Sequence, residues 1–558
     1  MHPKTQTFLV VCIAALGGIL YGYDLGIIGI ALLYLDKCFT MSESQVGLLA
    51  ASVMIGSLAS SVVGGCLSDW LGRKKAMMAA ALIFGLSTIM IVASSSFTPL
   101  LLGRILQGLS AGMIGVVVPI FMTECAPAKI RGLSSTMFQL CICGGYSISM
   151  LAGRHYQAAA EQAIQAAAGN ATQILAIQDH AWRGMFSTAV YPSVIFFVVA
   201  LLVFESPRWL FRRGKEQKAL DNLRLTRDQA QAELEIREMR ELATVATTEK
   251  AAGQGSIFKR HYLIPLVLAI TLMSINQATG INSVLPFAAK MLSQSGLTEL
   301  KAGALATDLT IYLLFPTIAG VLLIDRLGRK NLLKIGTGII IVALAIGAAT
   351  YWTIERDRQD ITGQLRQQVA GNTLTLPVAS LKPAAIKPIQ VTVQYTYDGQ
   401  EHNILVRSDS EKPAIAITPD EKSPAAKLEI VRAKLCDAPS PMLGWIIFGC
   451  LILYITGFCF GPGVCLWVLS AEMLPTRVRS LGMGIGVLGN AGVSAAFTYL
   501  FLPIVGNFGY AAMWAIWGVC TLAYFLFAAF ALPETRGKTL EEIESGFVKH
   551  SSAPGVND

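Results

Sequence analysis

The chain has 558 residues, of which 53% are hydrophobic and only 14% are charged, and its mean hydropathy is +0.55. Soluble globular chains carry about a quarter charged residues, so this composition excludes that class and places most of the chain in lipid. The net charge of +8 does not indicate nucleic-acid binding, because much of it lies in short loops between apolar stretches.

Apolar stretches of about 20 residues, the length that crosses about 30 Å of hydrocarbon, recur along the whole chain. They predict twelve membrane spans, and an even number of spans puts both termini on the same side. The predicted spans are 8–33, 45–68, 76–94, 99–122, 132–152, 183–204, 260–284, 302–324, 332–354, 443–470, 480–505 and 509–532.

The short loops on the two sides of these spans differ in charge. Loops on one side carry clusters such as Arg73, Lys74 and Lys75, whereas loops 95–98 and 506–510 on the other side contain no Lys or Arg. Short cytoplasmic loops are enriched in Lys and Arg. We therefore expect both termini in the cytoplasm and the protein in a plasma membrane or a bacterial inner membrane.

Two ionisable residues stand out within the predicted spans: Asp24 in the first and Arg104 near the start of the fourth. Charged groups in a span are costly and indicate function by default. At about 1.5 Å per residue both lie in the outer half of the membrane, so they are at compatible depths to pair. The pair is either a static buried ion pair or a switch in which protonation of Asp24 breaks the contact.

The first span also carries Gly18, Gly22 and Gly26 as a stripe of small residues. Such stripes allow two membrane helices to approach closely. Because Asp24 lies about 200° around the helix from Gly22, the stripe can pack while Asp24 points elsewhere.

Three charged motifs recur in the same order, six spans apart. Asp69-x-x-Gly-Arg73 after span 2 matches Asp325-x-x-Gly-Arg329 after span 8. The other two pairs follow spans 4 and 10 (Glu124 to Arg131, and Glu472 to Arg479) and spans 6 and 12 (Glu205 to Arg208, and Glu534 to Arg536). Repetition of this kind predicts two parallel six-helix halves around a central site.

The polar segments between the spans complete the predicted organisation. Helical charge spacing over about 207–255 predicts a cytoplasmic helical linker, and 154–182 is predicted to be helical. Residues 389–397 alternate with period two before Asp398-Gly399, which predicts a hairpin in a β-rich outside insertion at 355–441. The expected domains are 1–205 (first bundle), 206–258 (linker), 259–540 (second bundle with the insertion) and 541–558 (cytoplasmic tail).

Most of the eleven cysteines lie inside spans, where Cys acts as a small apolar residue. Only Cys38 and Cys436 clearly fall in outside segments. In an oxidising compartment these two could form a disulfide, and they could equally be two unrelated thiols.

In order along the chain, these motifs resemble the sugar porter family of the major facilitator superfamily. The resemblance rests on Tyr21-Gly-Tyr-Asp24, Gly103-Arg104, Gln277-Ala-Thr-Gly-Ile-Asn282, Gly461-Pro-Gly-Val-Cys-Leu-Trp467, Pro533-Glu-Thr-Arg-Gly-Lys538 and the charged motifs above, and it covers nearly the whole chain outside the insertions. It implies an all-α membrane protein with twelve helices in two bundles.

The resemblance also implies roles for individual residues. In proton–sugar symporters of this family, the position of Asp24 takes the proton and Arg104 is its partner. The expected substrate-binding residues are Gln139, Asn276, Gln277, Asn282, Trp467 and Asn490. Amide groups both donate and accept hydrogen bonds, which suits sugar hydroxyls, and an aromatic ring suits the apolar face of a sugar. The alternative is that buried amides only hold helices together.

Several positions depart from the family pattern. Asn276 replaces the first glutamine of the span-7 pair, Pro286-Phe287 replaces an aromatic pair, Leu313 stands where an Asn is usual, and Ala491 replaces an aromatic residue. The predicted pocket therefore has fewer hydrogen-bonding groups. A deoxy sugar, a polyol or another small polar solute remains open beside a common hexose or pentose.

The repeated charges are expected to form a cytoplasmic gate of ion pairs that breaks when the halves rock. Its predicted members are Asp69, Arg73, Glu124, Arg131, Glu205, Arg208, Asp325, Arg329, Glu472, Arg479, Glu534 and Arg536. The alternative is that these basic residues only set the topology, although topology requires no Glu.

The sequence contains no nucleotide loop, metal cluster or nucleophile triad, so we expect no enzyme activity, no cofactor and no metal. The expected function is proton-coupled symport of a monosaccharide or a related polyol by a monomer in the bilayer. A facilitative sugar uniporter and a sugar sensor that does not transport remain as alternatives.

Overall fold

A computed structural model describes most of the chain. The described residues are 3–39, 41, 43–126, 131–167, 170–251, 260–369, 373–382, 388–397, 400–409, 413–417, 428–475, 478–538, 542–544 and 547.

The first half of the chain forms a bundle of long helices. It contains α1 (Pro3–Phe39), α2 (Glu43–Leu71), α3 (Arg73–Val92), α4 (Phe97–Cys125), α5 (Arg131–Ala166), α6 (Ala171–Ser187) and α7 (Val190–Leu202). Residues 154–182, which were predicted to be helical, form the end of α5 and the first part of α6. The sixth span therefore runs from Thr172 to Leu202 and starts before the predicted residue 183.

The glycine stripe of α1 packs against α5, as predicted. A Cβ atom at Gly18 would meet the carbonyl oxygen of Phe138, and one at Gly22 would overlap the backbone of Ile142. Only glycine allows backbones to come this close, and such contacts replace the hydrophobic driving force that lipid does not supply. With the stripe turned to α5, Asp24 points towards α4.

Three shorter helices follow the first half: α8 (Pro207–Arg212), α9 (Glu216–Arg224) and α10 (Gln229–Ala251). Leu210, Ala219, Leu223 and Ile236 form a small apolar core between them. The Thr7 hydroxyl of α1 donates to the Thr226 carbonyl at 2.9 Å, which ties the start of the chain to this linker. We call this side of the bundle the linker side.

The second half repeats the bundle with more helix breaks. It contains α11 (Arg260–Gln277), α12 (Ile281–Gln294), α13 (Glu299–Tyr312), α14 (Leu314–Leu327), α15 (Arg329–Glu355), α17 (Pro441–Phe460), α18 (Pro462–Met473), α19 (Arg479–Phe508) and α20 (Tyr510–Phe530). Among the described residues, eleven helical segments are long and apolar enough to cross a membrane, or twelve when the bent pair within α2 counts as one span.

The insertion of the second half is a small β domain. After α15 come β1 (Gln359–Asp360), α16 (Thr362–Gln367), β2 (Leu374–Pro377), a 3-10 turn (Val378–Leu381), β3 (Ile389–Tyr397), β4 (Gln400–Arg407), β5 (Ala414–Ile417) and β6 (Leu428–Asp437).

The strands form an antiparallel sheet in the order β1-β6-β3-β4, and β2 pairs with β5 separately. The predicted hairpin is confirmed by β3 and β4, in which Tyr397 pairs with Gln400. The turn residues Asp398 and Gly399 lie outside the described part of the chain. We call this side of the bundle the insertion side.

Candidate functional site

A cavity lies between the two halves. Helices of both halves line the cavity, and all six side chains predicted to bind substrate are among the lining residues: Gln139, Asn276, Gln277, Asn282, Trp467 and Asn490.

Two helix breaks position these residues. Span 7 breaks between α11 and α12 at Gly280. This glycine has a left-handed φ of 94°, and the absence of a Cβ atom leaves room for the ring of Trp517. Span 10 breaks at Gly461, which packs against Leu332 and Gly336 of α15. The Tyr454 hydroxyl donates to the Thr279 carbonyl at 3.0 Å and so satisfies one of the backbone groups that the break exposes.

Amide side chains form a connected chain along one wall of the cavity. Asn282 Nδ2 donates to Gln277 Oε1 at 3.0 Å and to Ser494 Oγ at 2.7 Å. Gln277 Nε2 donates to Asn490 Oδ1 at 3.3 Å. Because Gln277 and Asn282 are only partly buried and line the cavity, their remaining hydrogen-bonding groups are accessible from it.

Trp467 also lines the cavity and links the halves. Its indole nitrogen donates to Gln139 Oε1 at 3.0 Å, and Phe138 packs edge-on against its ring at a centroid distance of 5.3 Å. Since Gln139 lies on α5 and Trp467 on α18, this hydrogen bond crosses between the bundles at the cavity.

Asn276 is placed differently from the other five. It is fully buried, and its amide nitrogen contacts the Pro462 carbonyl and the Tyr524 hydroxyl, both at 3.3 Å. Its donor is therefore directed at the break of span 10, whereas the donors of Gln277 and Asn282 lie along the cavity wall.

The cavity also contains residues without a role in the sequence prediction. Tyr21, Tyr146 and Phe458 add aromatic lining, and Leu313, one of the departures from the family pattern, is apolar lining as well. Cys143 of α5 and Cys459 of α17 both line the cavity, and their thiols interact across the two halves. Tyr21 had a signal in the sequence, since it lies in the motif that contains Asp24.

Asp24 and Arg104 form the predicted ion pair between α1 and α4, and each is 1% exposed. Arg104 Nη1 also donates to Gln107 Oε1 at 2.9 Å, and the guanidinium lies over the Phe186 ring at 5.6 Å. Among the residues that the structure describes, the second carboxylate oxygen of Asp24 and Nε of Arg104 have no hydrogen-bond partner. A buried carboxylate with one unpartnered oxygen can accept a proton without first losing a hydrogen bond at that atom.

One further carboxylate within a predicted span has no role in the sequence prediction. Asp308 of α13 is exposed and lies in a groove with Tyr312, Phe315 and Phe448. It is the second carboxylate inside the predicted spans, after Asp24, and it is not among the residues that line the central cavity.

On the linker side, the charged motifs of the first half form one cluster, which we call the α3 cluster. The Arg73 guanidinium binds both carboxylate oxygens of Glu124 at 3.1 Å and Asp69 Oδ1 at 2.8 Å. Arg212 of the linker also binds Asp69, at 2.9 Å. The cluster reaches the second half because Ser480 Oγ donates to Asp69 Oδ1 at 3.0 Å.

Glu205 caps the start of α3 in this cluster. Its Oε1 accepts from the backbone nitrogens of Arg73 at 2.8 Å and Lys74 at 3.4 Å, donors that the first turn of α3 leaves unpaired, and also from that of Ser206 at 2.9 Å. Burial raises the pKa of Glu205, and these backbone hydrogen bonds oppose that shift.

The second half has a matching cluster, which we call the α15 cluster. Arg329 binds Asp325 at 3.0 Å and Glu472 at 3.4 Å. Glu534 caps α15 by accepting from the backbone nitrogens of Arg329 at 3.2 Å and Lys330 at 3.1 Å.

The remaining predicted gate residues differ in placement. Arg479 is buried, donates to the Leu474 carbonyl at 3.1 Å and is close enough to Glu124 to act on its charge. Arg208 is partly buried in α8, and Arg536 is exposed. The side chain of Arg131 lies outside the described residues.

The proposed disulfide between Cys38 and Cys436 is absent from the structure. The two residues lie in different neighbourhoods: Cys38 packs at the end of α1 against the core of the first half, whereas Cys436 is buried in β6 beside Arg358. A disulfide requires Cβ atoms about 4 Å apart, which these separate packing environments do not provide.

Comparison with known proteins gives consistent matches. The family model described as "Sugar (and other) transporter" matches residues 10–372 and 430–547. An arabinose-proton symporter of Bacillus subtilis is 27% identical over 98% of this chain and 96% of its own length. A probable inositol transporter of Arabidopsis thaliana is 27% identical over 96% of this chain and 91% of its own.

A solved structure of the proton:xylose symporter XylE bound to 6-bromo-6-deoxy-D-glucose has a TM-score of 0.71 to this chain. The match covers 98% of this chain and 100% of the XylE chain, at 22% identity. This likeness shows that the two proteins share a fold. Residues 373–429, in the middle of the insertion, lie between the two segments that the family model matches.

Proposed function

The chain belongs to the sugar transporter family of the major facilitator superfamily, and from that premise we propose that it is a proton-coupled symporter of a monosaccharide or a related polyol. The linker side would be cytoplasmic, and the bundles 1–205 and 259–540 would rock about the central cavity. The relatives are transporters, and we expect no catalysis.

Proton coupling rests on one observation above all: Asp24 is buried against Arg104 with one carboxylate oxygen unpartnered. In the ionised state, Arg104 holds α1 and α4 together through this carboxylate. When a proton neutralises Asp24, the attraction to Arg104 is lost and the contact between the helices weakens. Proton binding would thus be linked to the arrangement of helices that line the cavity.

The substrate class follows from the lining of the cavity. Among the described lining residues the polar side chains are amides, tyrosines and thiols, and none is charged. Such a surface suits an uncharged solute with several hydroxyl groups, with Trp467 against its apolar face. Pentoses, hexoses, deoxy sugars and inositols are the candidates.

The coupling is tested in proteoliposomes that contain a pH-sensitive dye, with arabinose, xylose, glucose, a deoxy hexose and myo-inositol added outside in turn. A transported substrate should acidify the lumen in the wild type. Asp24→Asn should abolish this proton movement and uphill accumulation while retaining exchange of labelled substrate across the membrane.

The matched control is Asp179→Asn, which removes the carboxylate of another Asp–Arg pair, with Arg183 at 2.7 Å, away from the cavity. It should leave coupling unchanged. Substrate uptake in the wild type without proton movement would make the protein a uniporter and reduce the Asp24 pair to a structural contact. Binding without uptake would indicate a sensor.

The substrate site is tested by two asparagines six positions apart. Asn282→Ala should weaken substrate binding about tenfold or more, since a polar contact to a solute contributes about 1–3 kcal/mol. Asn276→Ala should mainly lower the thermal stability, because its amide nitrogen is directed at Pro462 and Tyr524. Equal losses of affinity in the two variants would contradict this assignment.

A further inference from the structure

The β sheet of the insertion has two different faces. Val391 and Val393 of β3 point into the apolar core of the insertion together with Leu435 of β6. On the opposite face the strands carry polar side chains, with Thr392 paired to Lys434 and Gln394 paired to Arg432. Because successive residues of a strand point to opposite faces, the period-two pattern produces both surfaces.

This polar face is turned towards the second bundle. Arg432 donates to the carbonyl oxygens of Gly506 at 3.5 Å and Asn507 at 3.2 Å at the end of α19. Gln390 Nε2 donates to Gln294 Oε1 of α12 at 3.3 Å, and both residues are buried. Arg407 of β4 donates to the Gly296 carbonyl at 3.0 Å. The sheet is therefore held against the ends of these helices by polar contacts.

A cavity remains between the sheet and the bundle, and its wall is strongly basic. Four of its lining residues are cationic, and none of the described lining residues is acidic. The four cations come from three separate segments of the chain: Lys290 from α12, Arg358 from the turn after α15, and Arg432 and Lys434 from β6. Thr392, Gln394 and Tyr510 also line the cavity.

Glu355, a carboxylate beside Arg358, is already engaged. It accepts from the backbone nitrogens of Tyr510 at 2.8 Å and Ala511 at 3.2 Å, so it caps the start of α20. It also pairs with Arg358 at 3.3 Å. Glu355 is not itself part of the described cavity lining, whose charged residues are all basic.

The cations also act on each other. Burial lowers the pKa of Lys434, and the charges of Arg358 and Arg432 lower it further, whereas Glu355 and Asp360 act in the opposite direction. Like charges held this close repel each other unless an anion lies between them.

We propose that this cavity binds a small oxyanion, in the form of a carboxylate or phosphate group, held by Lys290, Arg358 and Lys434. Arginine and lysine are the side chains that bind such groups with charge-assisted hydrogen bonds. The site is separate from the central cavity, where the described lining contains no cation. Two lining residues of its sheet wall, Thr392 and Gln394, lie within residues 373–429, outside the family match, whereas the three proposed anion-binding residues lie within the matched segments.

The anion has three possible sources with the same chemistry: inorganic phosphate, an acidic sugar, or the headgroup of an anionic phospholipid. The test measures thermal unfolding of the full-length protein in neutral-lipid nanodiscs. Sodium phosphate and sodium glucuronate are titrated at constant ionic strength, with glucose and sodium chloride as controls. A parallel series replaces neutral lipid with phosphatidylglycerol. Stabilisation rises with ligand concentration when a ligand binds only the folded state.

We expect saturable stabilisation by at least one of the three probes, and the probe that acts identifies the source. Lys434→Gln and Lys290→Gln should each weaken this binding about tenfold, and the double variant should abolish it. These residues lie on β6 and α12, so the two single variants do not share one folding defect.

The matched control is Lys382→Gln, which removes an exposed insertion lysine paired with Asp437 at 2.8 Å. It should leave the binding unchanged. The proposal is overturned if none of the probes stabilises the protein, or if the stabilisation persists undiminished in both Lys434→Gln and Lys290→Gln. Because binding is measured without transport, neither result depends on the proposed symport.

Discussion

The α3 cluster and the α15 cluster have the same design. Each begins a helix with an arginine, Arg73 or Arg329, directly after a glycine with positive φ, and each helix start is capped by a glutamate from the end of its own half. In both places a Cβ on the glycine would collide with the capping carboxylate, Glu205 or Glu534. Repetition of sequence has thus produced repetition of geometry.

The two clusters differ in how completely the arginine is bound. Arg73 uses two nitrogens to hold both oxygens of Glu124 at 3.1 Å. Arg329 reaches Glu472 with one nitrogen at 3.4 Å, and its Nε has no hydrogen-bond partner in the described part of the chain. Bidentate arginine–carboxylate pairs are stronger and more rigid than single contacts.

They also differ in their links to the opposite half. Ser480 of α19 binds Asp69 at 3.0 Å and accepts from Arg73 at 3.3 Å. The residue at the matching position of the first half is Gly132, which has no hydroxyl group. The comparison indicates that the α3 cluster contributes more than the α15 cluster to holding the linker side closed.

The largest expected effect comes from removing the two arginines. Arg73→Ala leaves the buried Glu124 without its partner and should cost about 3–5 kcal/mol of folding free energy, because an uncompensated buried charge is strongly unfavourable. Arg329→Ala should cost less, since its contact with Glu472 is a single longer one. Thermal unfolding in detergent measures both.

Arg212→Ala is the control for this pair of variants, because Arg212 binds the same Asp69 from a more exposed position. An exposed pair contributes about 1 kcal/mol or less. A loss of stability in Arg329→Ala that equals or exceeds the loss in Arg73→Ala would contradict the difference between the clusters.

A smaller effect is expected from Ser480→Ala, which removes the hydroxyl link between the halves. Loss of its hydrogen bonds to Asp69 and Arg73, at about 1 kcal/mol each, should shift the equilibrium towards an open linker side by about five- to thirtyfold. Spin labels at the exposed residues Lys75 and Lys538, in a background without accessible native cysteines, report this as a larger population of long distances by pulsed electron resonance.

Ser68→Ala is the matched control, because the Ser68 hydroxyl donates only within α2, to the Gly65 carbonyl at 2.8 Å. It should leave the distance distribution unchanged. An unchanged distribution in Ser480→Ala as well would show that this hydroxyl does not hold the halves together.

The smallest expected effect is a pH dependence that originates at Glu205. Its pKa is raised by burial, so the folded state favours the protonated carboxyl more than the unfolded state does. The stability of the wild type relative to Glu205→Gln should therefore fall as pH rises through the raised pKa, and it should level off above that pKa. Thermal unfolding of both proteins measures this stability difference. The range is pH 4 to pH 8, roughly where carboxyl groups with raised pKa values titrate. If this stability difference instead rose with pH, the hydrogen bonds that Glu205 accepts from the start of α3 would affect its pKa more than burial does.

Much of the architecture was predictable because it depends on local patterns. Apolar length identified the spans, the repeated charged motifs identified two halves, and the glycines at 280 and 461 identified the broken helices. Alternation along 389–397 identified the β3 strand. Each of these signals is complete within a short segment, so no knowledge of its neighbours is needed.

The site was predictable in part for the same reason. The motifs identified six residues that line the central cavity, and depth along two helices paired Asp24 with Arg104. Their roles in transport remain proposals. The direction of Asn276 was not predictable, because its partners Pro462 and Tyr524 lie in other spans.

The sequence by itself determined which segments cross the membrane, that the halves repeat, and which side chains are available at mid-depth. Only the tertiary structure decided that Trp467 bonds to Gln139, that the Cys143 and Cys459 thiols meet, that Ser480 binds the opposite half, and that four basic residues surround one cavity under the sheet. Periodicity and charge patterns are local and are written along the chain, whereas these contacts depend on the distances and angles at which separate helices and strands pack.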